Sequence, residues 1–418
     1  MQIQSQDIAG IATVQAAGEQ DAYVQTRSAL YDDLKIEIFD SMAPLEAEWR
    51  ILERDNLTSL HQSYDWCLPW VEIFQRPLAI IRGSIDGRTA FILPLEIIRS
   101  RGVRRAEFIG GQHSNINTGL FSKEFLPNGD LTAAQTAAVA SALRGKVDLA
   151  ILRNVPLEWR GRTSPLGSLP AIENQNHAFQ LPFLVNFETS LKQVNAKRRR
   201  KKFKHQSRIL EAKGGYEYLI AAPDQQDALL DQFFRQKAIR FREAGLPDVF
   251  ADAPTRATMH RLLRRRESDS VDATLQMHAL RLKGEHEGHV AAIAALSRKG
   301  DHVICQFASI DESLVAEASP GELLFWLMIE RLHKEEVALF DFGIGDQIYK
   351  RSWCPVETTQ HDLLLPISTV GHAAATMQRG IIRAKTAIKS NRQVYAFIQR
   401  LRSRHVAATA EADTAEKD

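Results

Sequence analysis

Cysteine is scarce in this chain, and long apolar runs are missing. The three cysteines, Cys67, Cys305 and Cys354, are too few for a disulfide framework and too far apart for a CxxC metal or redox pair. No run of about 18 apolar residues occurs, and the amino terminus lacks the basic start and apolar core of a signal peptide. We therefore expect a soluble cytoplasmic protein that is not transmembrane and has no metal site.

An excess of either charge is also missing. The chain has 418 residues, with 53 Lys+Arg against 51 Asp+Glu and a formal net charge of +2. This balance argues against a generally basic nucleic-acid coat. Two clusters depart from it: residues 197–204 hold seven basic side chains, and residues 371–405 hold eight with no acidic residue. Two local basic surfaces on an acidic body are predicted.

Several well-known catalytic motifs do not occur. The serines Ser63, Ser114 and Ser319 lack a G-x-S-x-G frame, and no Walker or Rossmann phosphate loop is present. The HEGH run at residues 286–289 is one residue short of the HExxH metal motif and is predicted to form a hairpin tip. Nucleophile-elbow hydrolases and P-loop enzymes are thereby disfavoured.

The first half has the pattern of one α/β unit, residues 35–185, after a polar segment (1–30) that is predicted to be disordered. The predicted strands are 34–39, 77–84, 88–98, 104–110 and 147–155, and the predicted helices are 44–55, 63–74 and 130–144, the last capped by Asp130.

The second half, residues 186–370, repeats this order. A basic helix (188–212), a strand (215–220) and a helix (223–244) precede three strands (274–282, 289–297 and 302–309), an apolar helix from residue 322 and a strand (337–343). The shared order predicts a duplicated α/β architecture with mixed, twisted sheets. A basic amphipathic helix (371–405) and a disordered tail (406–418) follow. The helix is predicted to pack through Met377, Ile381, Ala384, Ile388, Tyr395 and Ile398, with its basic face on a partner or an acidic surface.

The start of the apolar helix is a candidate anion site. Ser319, Pro320 and Gly321 stand where the first amides of the helix would point out of a sheet edge, so they could bind a phosphate or hold a thioester. The alternative is an ordinary turn with Pro at the first helical position.

The run FDFGIGDQIYKRSW is the densest polar cluster attached to an apolar strand. Asp341 alternates with two phenylalanines, so it projects to the opposite sheet face and must be paired or functional if buried. Asp346, Tyr349 and Lys350 supply a possible base, acid and anion clamp within five residues. A plain strand followed by a helix cap is the alternative.

The basic run at 197–204 should attract anions, with Arg199, Lys201 and Lys202 as candidate substrate-binding residues. Phosphates of an acyl carrier, a tRNA or an anionic glycan would all suit it. Aromatic residues within the run are limited to Phe203, so sequence-specific nucleic-acid recognition is not expected.

The segments SPGELLFWLMIERL and FDFGIGDQIYKRSW resemble the C-terminal signature of the CelD-type acyltransferases, with softer agreement from HQSYDWCLPWVEIF, FILPLEII and the basic helix. The resemblance covers about residues 35–370. It implies a GNAT-superfamily fold of two tandem GNAT-like units, an acyl-CoA donor such as acetyl-CoA, and a link to cellulose and exopolysaccharide biosynthesis. The usual GNAT pyrophosphate loop is missing, and Ala318 to Gly321 stand in its place.

On this basis we expect an N-acyltransferase that moves an acyl group from a thioester to a small-molecule or glycan amine. The assigned roles are a backbone donor on strand 289–297, a carrier seat at Ser319 to Gly321, a base at Asp341 or Asp346, an acid at Tyr349, and anchoring by Lys350 and Arg351. Acyl carrier protein and aminoacyl-tRNA stay open as donors. The rival hypotheses are a non-catalytic GNAT-scaffold adaptor for an anionic partner and a Fem-type transferase that uses charged tRNA.

Overall fold

The computed structural model describes residues 34–390 except 56, 126–129, 265–271 and 312. The predicted disordered ends, 1–30 and 406–418, and the last part of the predicted basic helix lie outside the described residues.

In its described residues the first half of the chain builds a four-stranded sheet, most of a five-stranded sheet, a two-stranded sheet and three α-helices. The helices are α1 Glu46–Glu53, α2 Tyr64–Phe74 and α3 Ala133–Leu143. The strands are β1 Lys35–Phe39, β2 Ile80–Ile85, β3 Arg88–Leu93, β4 Leu95–Ser100, β5 Val103–Phe108, β6 Leu120–Phe121, β7 Leu149–Val155, β8 Glu158–Trp159, β9 Arg162–Thr163, β10 Ala171–Glu173 and β11 Ala178–Pro182.

Two sequence predictions for this half need correction. The predicted strand 88–98 is two strands, β3 and β4, because Pro94 has no N–H to donate and the chain passes there from one sheet to the other. Helix α3 is capped by Thr132 instead of Asp130. The Thr132 hydroxyl accepts from the Gln135 amide at 3.2 Å, and the Gln135 side chain accepts from the Thr132 amide at 2.9 Å.

The second half forms one seven-stranded sheet with helices on both faces. The helices are α4 Phe187–Lys192, α5 Ala196–Ala212, α6 Gln226–Glu243, α7 Ala253–Arg264, α8 Pro320–Leu332, α9 Ile348–Trp353 and α10 Thr369–Ser390. The strands are β12 Tyr216–Ile220, β13 Ala273–Leu282, β14 Val290–Lys299, β15 His302–Ile310, β16 Leu339–Ile344, β17 Val356–Thr358 and β18 His361–Pro366.

The predicted helix 188–212 is in fact two helices, α4 and α5. The break comes at Asn195, whose backbone is left-handed (φ 60°) and whose side chain accepts from the Arg198 amide at 3.2 Å. Asparagine tolerates this conformation better than most residues, so it can end one helix and cap the next.

The two halves exchange strands. The first half contributes β11 to the second sheet, between β16 and β17, while the second half contributes β18 to the first half's sheet, between β10 and β7. Both inserted strands pair antiparallel on both sides. Each sheet is therefore complete only when both halves of the chain are present.

The halves also share one apolar core. Trp66 and Trp70 of α2 belong to the same buried cluster as Phe233 of α6 and Phe307 of β15. The other face of the seven-stranded sheet is covered by α5 and α8. Among the residues that the structure describes, no helix combines the length and apolar character needed to cross a bilayer.

Candidate active site

The two parallel strands in the middle of the second sheet pair only at their beginnings. Residues 302–304 of β15 pair with residues 339–341 of β16, after which β15 continues to Ile310 and β16 to Ile344. The register between β14 and β15 shifts at the same point, which leaves Gln306 as the extra residue of a bulge. The strands therefore diverge and open a cleft at the edge of β15.

A cavity of about 410 Å³ occupies this cleft, of a size that suits a small ligand or part of a larger one. It lies between the end of β15, helix α6, the entry of α8 and the turn into α9. Its lining residues are Lys237, Arg240, Ile293, Ala308, Ser309, Ile310, Ser319, Gly321, Glu322, Leu324, Phe325, Gln347 and Tyr349.

The entry of α8, the predicted anion site, contributes Ser319 and Gly321 to the lining of this cavity. Ser319 is left-handed (φ 45°), and its side chain makes no capping hydrogen bond with the described residues. Pro320 has no N–H, and the Glu322 amide donates to the Ser319 carbonyl at 3.0 Å. This leaves the Gly321 amide without a partner in the described part of the chain, so the entry offers an anion one amide and a serine hydroxyl.

One cationic side chain of the basic helix α5 is buried in the protein. The guanidinium of Arg199 is buried, donates to Glu322 at 2.8 Å and lies 3.9 Å from the ring centroid of Trp353. It also donates to the Ser352 carbonyl. Arg199 therefore ties the start of α8 to the end of α9. Lys202 reaches the same Glu322 at 3.2 Å, whereas Lys201 is exposed.

Asp341 is completely buried beside the cleft and does not line the cavity. Its carboxylate accepts from the Gly343 amide at 2.6 Å and from the Gln180 side chain at 2.7 Å. Gln180 lies on β11, the strand inserted from the first half. The arrangement fixes the turn after β16, where Gly343 is left-handed (φ 67°).

Lys350 holds the same turn from the other side. Its ammonium donates to the Ile344 carbonyl at 2.7 Å and to the Gly343 carbonyl at 3.3 Å, and burial lowers its pKa to about 8. Asp346 and Arg351 form a 2.5 Å ion pair, Arg351 also reaches Glu357 at 2.9 Å, and neither partner lines the cavity.

Tyr349 is the predicted catalytic residue that faces the cavity. Its ring stacks on Phe325, with centroids 5.3 Å apart, and burial raises the pKa of its phenol above the ordinary value. A phenol held protonated beside a cavity can donate a proton to a leaving group.

Two residues of α6 that the sequence reasoning missed also line the cavity. The Lys237 ammonium donates to the Ala308 carbonyl of β15 at 3.1 Å, and burial followed by the charge of Arg240 lowers its pKa. The sequence places Lys237 and Arg240 on the apolar face of α6, four and seven residues after Phe233, so cations on an otherwise apolar stripe were the available signal. The topology of the sheet, which no local pattern reveals, brings them to the cleft.

The first half of the chain also reaches the divergence point. The side-chain oxygen of Gln306 lies 3.2 Å from His61 Nε2 and accepts from Asn115 Nδ2 at 3.3 Å. His61 is fully buried, which lowers its pKa to about 4 and keeps the ring neutral. The Gln306 Nε2 group is buried and has no partner among the described residues.

The predicted backbone donor on strand 289–297 must be reassigned. This segment lies in β14, whose backbone pairs with β13 on one side and β15 on the other. The edge that faces the cleft belongs to β15.

Comparison with known proteins identifies the second half. Residues 197–351 match a family model described as "Acetyltransferase (GNAT) domain". This part of the chain is therefore similar to GNAT acetyltransferase domains. The match spans the cleft, Tyr349 and the α8 entry, and it favours an enzyme over the non-catalytic adaptor.

Solved structures confirm the predicted α/β fold with mixed sheets flanked by helices. FemX is 12% identical with a TM-score of 0.53, covering 78% of this chain and 96% of that one. The C-terminal domain of a protein assigned as lysylphosphatidylglycerol synthetase from Agrobacterium fabrum is 13% identical with a TM-score of 0.50, covering 82% and 97%. At these identities the likeness concerns the fold alone. No curated protein sequence matches the chain.

Proposed function

We propose that this enzyme transfers an acyl group from a thioester, either acyl-CoA or an acylated carrier protein, to an amine. The observation that carries the proposal is the cavity beside the end of β15, past the point where β15 and β16 stop pairing, with the protonated Tyr349 and the open entry of α8 in its lining. In the reaction the amine nitrogen forms a bond to the acyl carbon, and the bond from that carbon to sulfur breaks.

Each part of the cleft has a role in this reaction. Backbone N–H groups on the free edge of β15 polarise the acyl carbonyl, and the Gly321 amide with the Ser319 hydroxyl seats a phosphate of the carrier. Tyr349 donates its proton to the leaving thiolate. Lys237, whose pKa is lowered, takes the proton that the attacking amine must lose.

The remaining predicted site residues position this machinery. Asp341 and Lys350 fix the turn between β16 and α9, which aims Tyr349. Arg199 and Lys202 hold Glu322 at the α8 entry. Asp346 and Arg351 close the outer side of the turn.

The test is thiol release on mixing the protein with acetyl-CoA, longer acyl-CoAs or an acylated carrier protein and a panel of amines. The rate should rise with pH as Lys237 loses its proton. Lys237→Arg, which cannot deprotonate, should lose that pH dependence together with most of its activity. No thiol release with any pair would refute the proposal.

A second candidate is a Fem-type transfer from aminoacyl-tRNA. It is supported by α5, where Lys197, Arg198, Lys201 and Lys204 are exposed on the helix that holds the α8 entry, and by the fold likeness to FemX. Under this alternative, transfer would require charged tRNA and cease after ribonuclease treatment. Glutamate at Lys197, Lys201 and Lys204 would raise KM for the donor.

We further propose that the chain belongs to the CelD-type acyltransferases and that its acceptor is an amino sugar of an exopolysaccharide pathway. The sequence resemblance supports this narrower assignment. Amino sugars in the amine panel would then be the fastest acceptors, and preference for an unrelated amine would contradict it.

A further inference from the structure

Helix α10 is attached to the body of the protein by very small residues. It packs against β7 and β18, where Ala374 and Ala375 contact a cluster that contains Ile151 and Leu364. Its first turn is so close to the sheet that a Cβ on Gly371 would lie 1.7 Å from the Asp148 carbonyl oxygen. The side of α10 that faces the protein is thereby settled.

The larger apolar residues of α10 lie on another side. Val370, Met377 and Ile381 are 51%, 57% and 41% exposed. Their spacings of seven and four residues place them on one stripe of the helix. The sequence-based prediction that Met377 and Ile381 pack against the protein is therefore wrong, because the side of α10 that contacts the body is the one with Gly371 and Ala375.

The charge on α10 itself is of one sign. Arg379 and Arg383 lie on the side of the helix opposite the stripe, and residues 371–405 carry eight basic side chains and no acidic one. A second copy docked through this face would bring two such segments together and repel it. A helix with an exposed apolar stripe and cations on the opposite side suits a surface that is apolar below and anionic above.

We propose that α10 binds the interface of an anionic phospholipid bilayer, with Val370, Met377 and Ile381 in the lipid and the basic side chains at the headgroups. Such a helix lies in the plane of the interface. The surface stands apart from the acyl-transfer cleft, so the proposal does not depend on which donor the enzyme uses.

The experiment is co-sedimentation of the full chain with vesicles of phosphatidylcholine alone or with about 30% phosphatidylglycerol. We expect binding to the anionic vesicles only, and weaker binding as salt rises, because headgroup attraction is screened over about 8–10 Å. M377D with I381D should weaken binding at least tenfold. I51D is the matched control, since Ile51 on α1 is also 62% exposed and should be replaceable without effect.

A charge variant separates the two contributions. R379E with R383E keeps the apolar stripe but should lose most of the preference for anionic vesicles and much of the salt dependence. None of these substitutions lies in the cleft, so thiol release in solution should be unchanged.

Three results would overturn the proposal. One is equal binding of the wild type to both kinds of vesicle, or to neither. A second is a wild-type protein that is dimeric in light scattering and an M377D, I381D variant that is monomeric, with no difference between them in vesicle binding. That result would assign the stripe to a second copy of the chain. A third is vesicle binding that appears only after residues 1–33 are deleted, which would show that this acidic segment covers the stripe.

Discussion

Helices α3 and α8 occupy equivalent places in the two units, and their entries differ. Each connects two parallel strands, β5 to β7 in the first unit and β15 to β16 in the second. The entry of α3 is closed by the reciprocal Thr132 and Gln135 hydrogen bonds, whereas the entry of α8 has no side-chain cap among the described residues and opens on the cavity. The same crossover is thus capped in one unit and open to a cavity in the other, where we propose that it seats the donor.

The strands beside these helices differ in the same sense. Strand β5 ends at Phe108, directly after its last parallel pair at Glu107, whereas β15 continues from Ile304 to Ile310 beyond its last pair. The space beside α3 is lined by aliphatic residues such as Leu131, Val139 and Leu143. A short strand and an apolar filling therefore leave no open cleft beside α3 in the described part of the first unit.

The largest expected effect tests whether the second unit alone carries the chemistry. Tyr349→Phe removes one hydroxyl from the cavity and should lower turnover by about 10² to 10⁴ with little change in Tm. Steady-state thiol release and thermal unfolding measure the two quantities. Retained activity with a large fall in Tm would make Tyr349 structural and break the comparison.

The second prediction compares a buried carboxyl group in each of the two units. Burial raises the pKa of Glu96 on β4 to about 7, although Arg76 lies 2.8 Å away. In the unfolded chain Glu96 ionises near its ordinary pKa, whereas in the folded chain it keeps its proton up to about pH 7. Stability is therefore lost as pH rises through this window. Between pH 4 and pH 8 the unfolding free energy of Glu96→Gln should rise by about 3 kcal/mol relative to that of the wild type, as measured by denaturant titration.

Asp341 in the second unit is the control for Glu96. Two donors, the Gly343 amide and the Gln180 side chain, hold its carboxylate. Asp341→Asn should cost about 1–3 kcal/mol of unfolding free energy at neutral pH, because an amide NH₂ would face one of these donors. Equal behaviour of the two variants would remove the contrast.

A third prediction concerns the open entry. A Cβ on Gly321 would lie 2.7 Å from Ile310 Cγ2, so Gly321→Ala should displace the start of α8 and weaken donor binding about tenfold. Calorimetric titration with the donor found active measures this. Adding Ile310→Ala removes the obstructing methyl and should restore much of the affinity. Unchanged affinity in the single variant would refute the phosphate seat.

The smallest effect belongs to the closed entry. Thr132→Ala removes the cap of α3 and should cost about 1 kcal/mol of unfolding free energy, with kcat and KM unaffected. A loss of activity per folded molecule would show that the first unit's helix entry also serves the reaction.

The sequence predicted the parts of the site that depend on local chemistry. Ser319, Gly321 and Tyr349 line the cavity. They could be singled out from the sequence because a proline-glycine helix entry and the end of the strand after Phe342 are local features. Lys237, Gln306 and His61 escaped prediction because sheet topology and contact between the units bring them together. Asp341 was recognised as a polar group that must be paired or functional if buried, but its partner Gln180 on β11 is distant in sequence and could not be predicted.

The exchanged strands have a consequence for synthesis on the ribosome. In the five-stranded sheet of the first unit, β18 lies between β10 and β7. It is translated nearly two hundred residues after β10. A nascent first unit therefore waits with an unpaired edge on β7, and fragments cut near residue 185 should be poorly folded until mixed. Activity recovered by co-expressing two such fragments would measure how well each half folds when its missing strand is supplied by a separate chain.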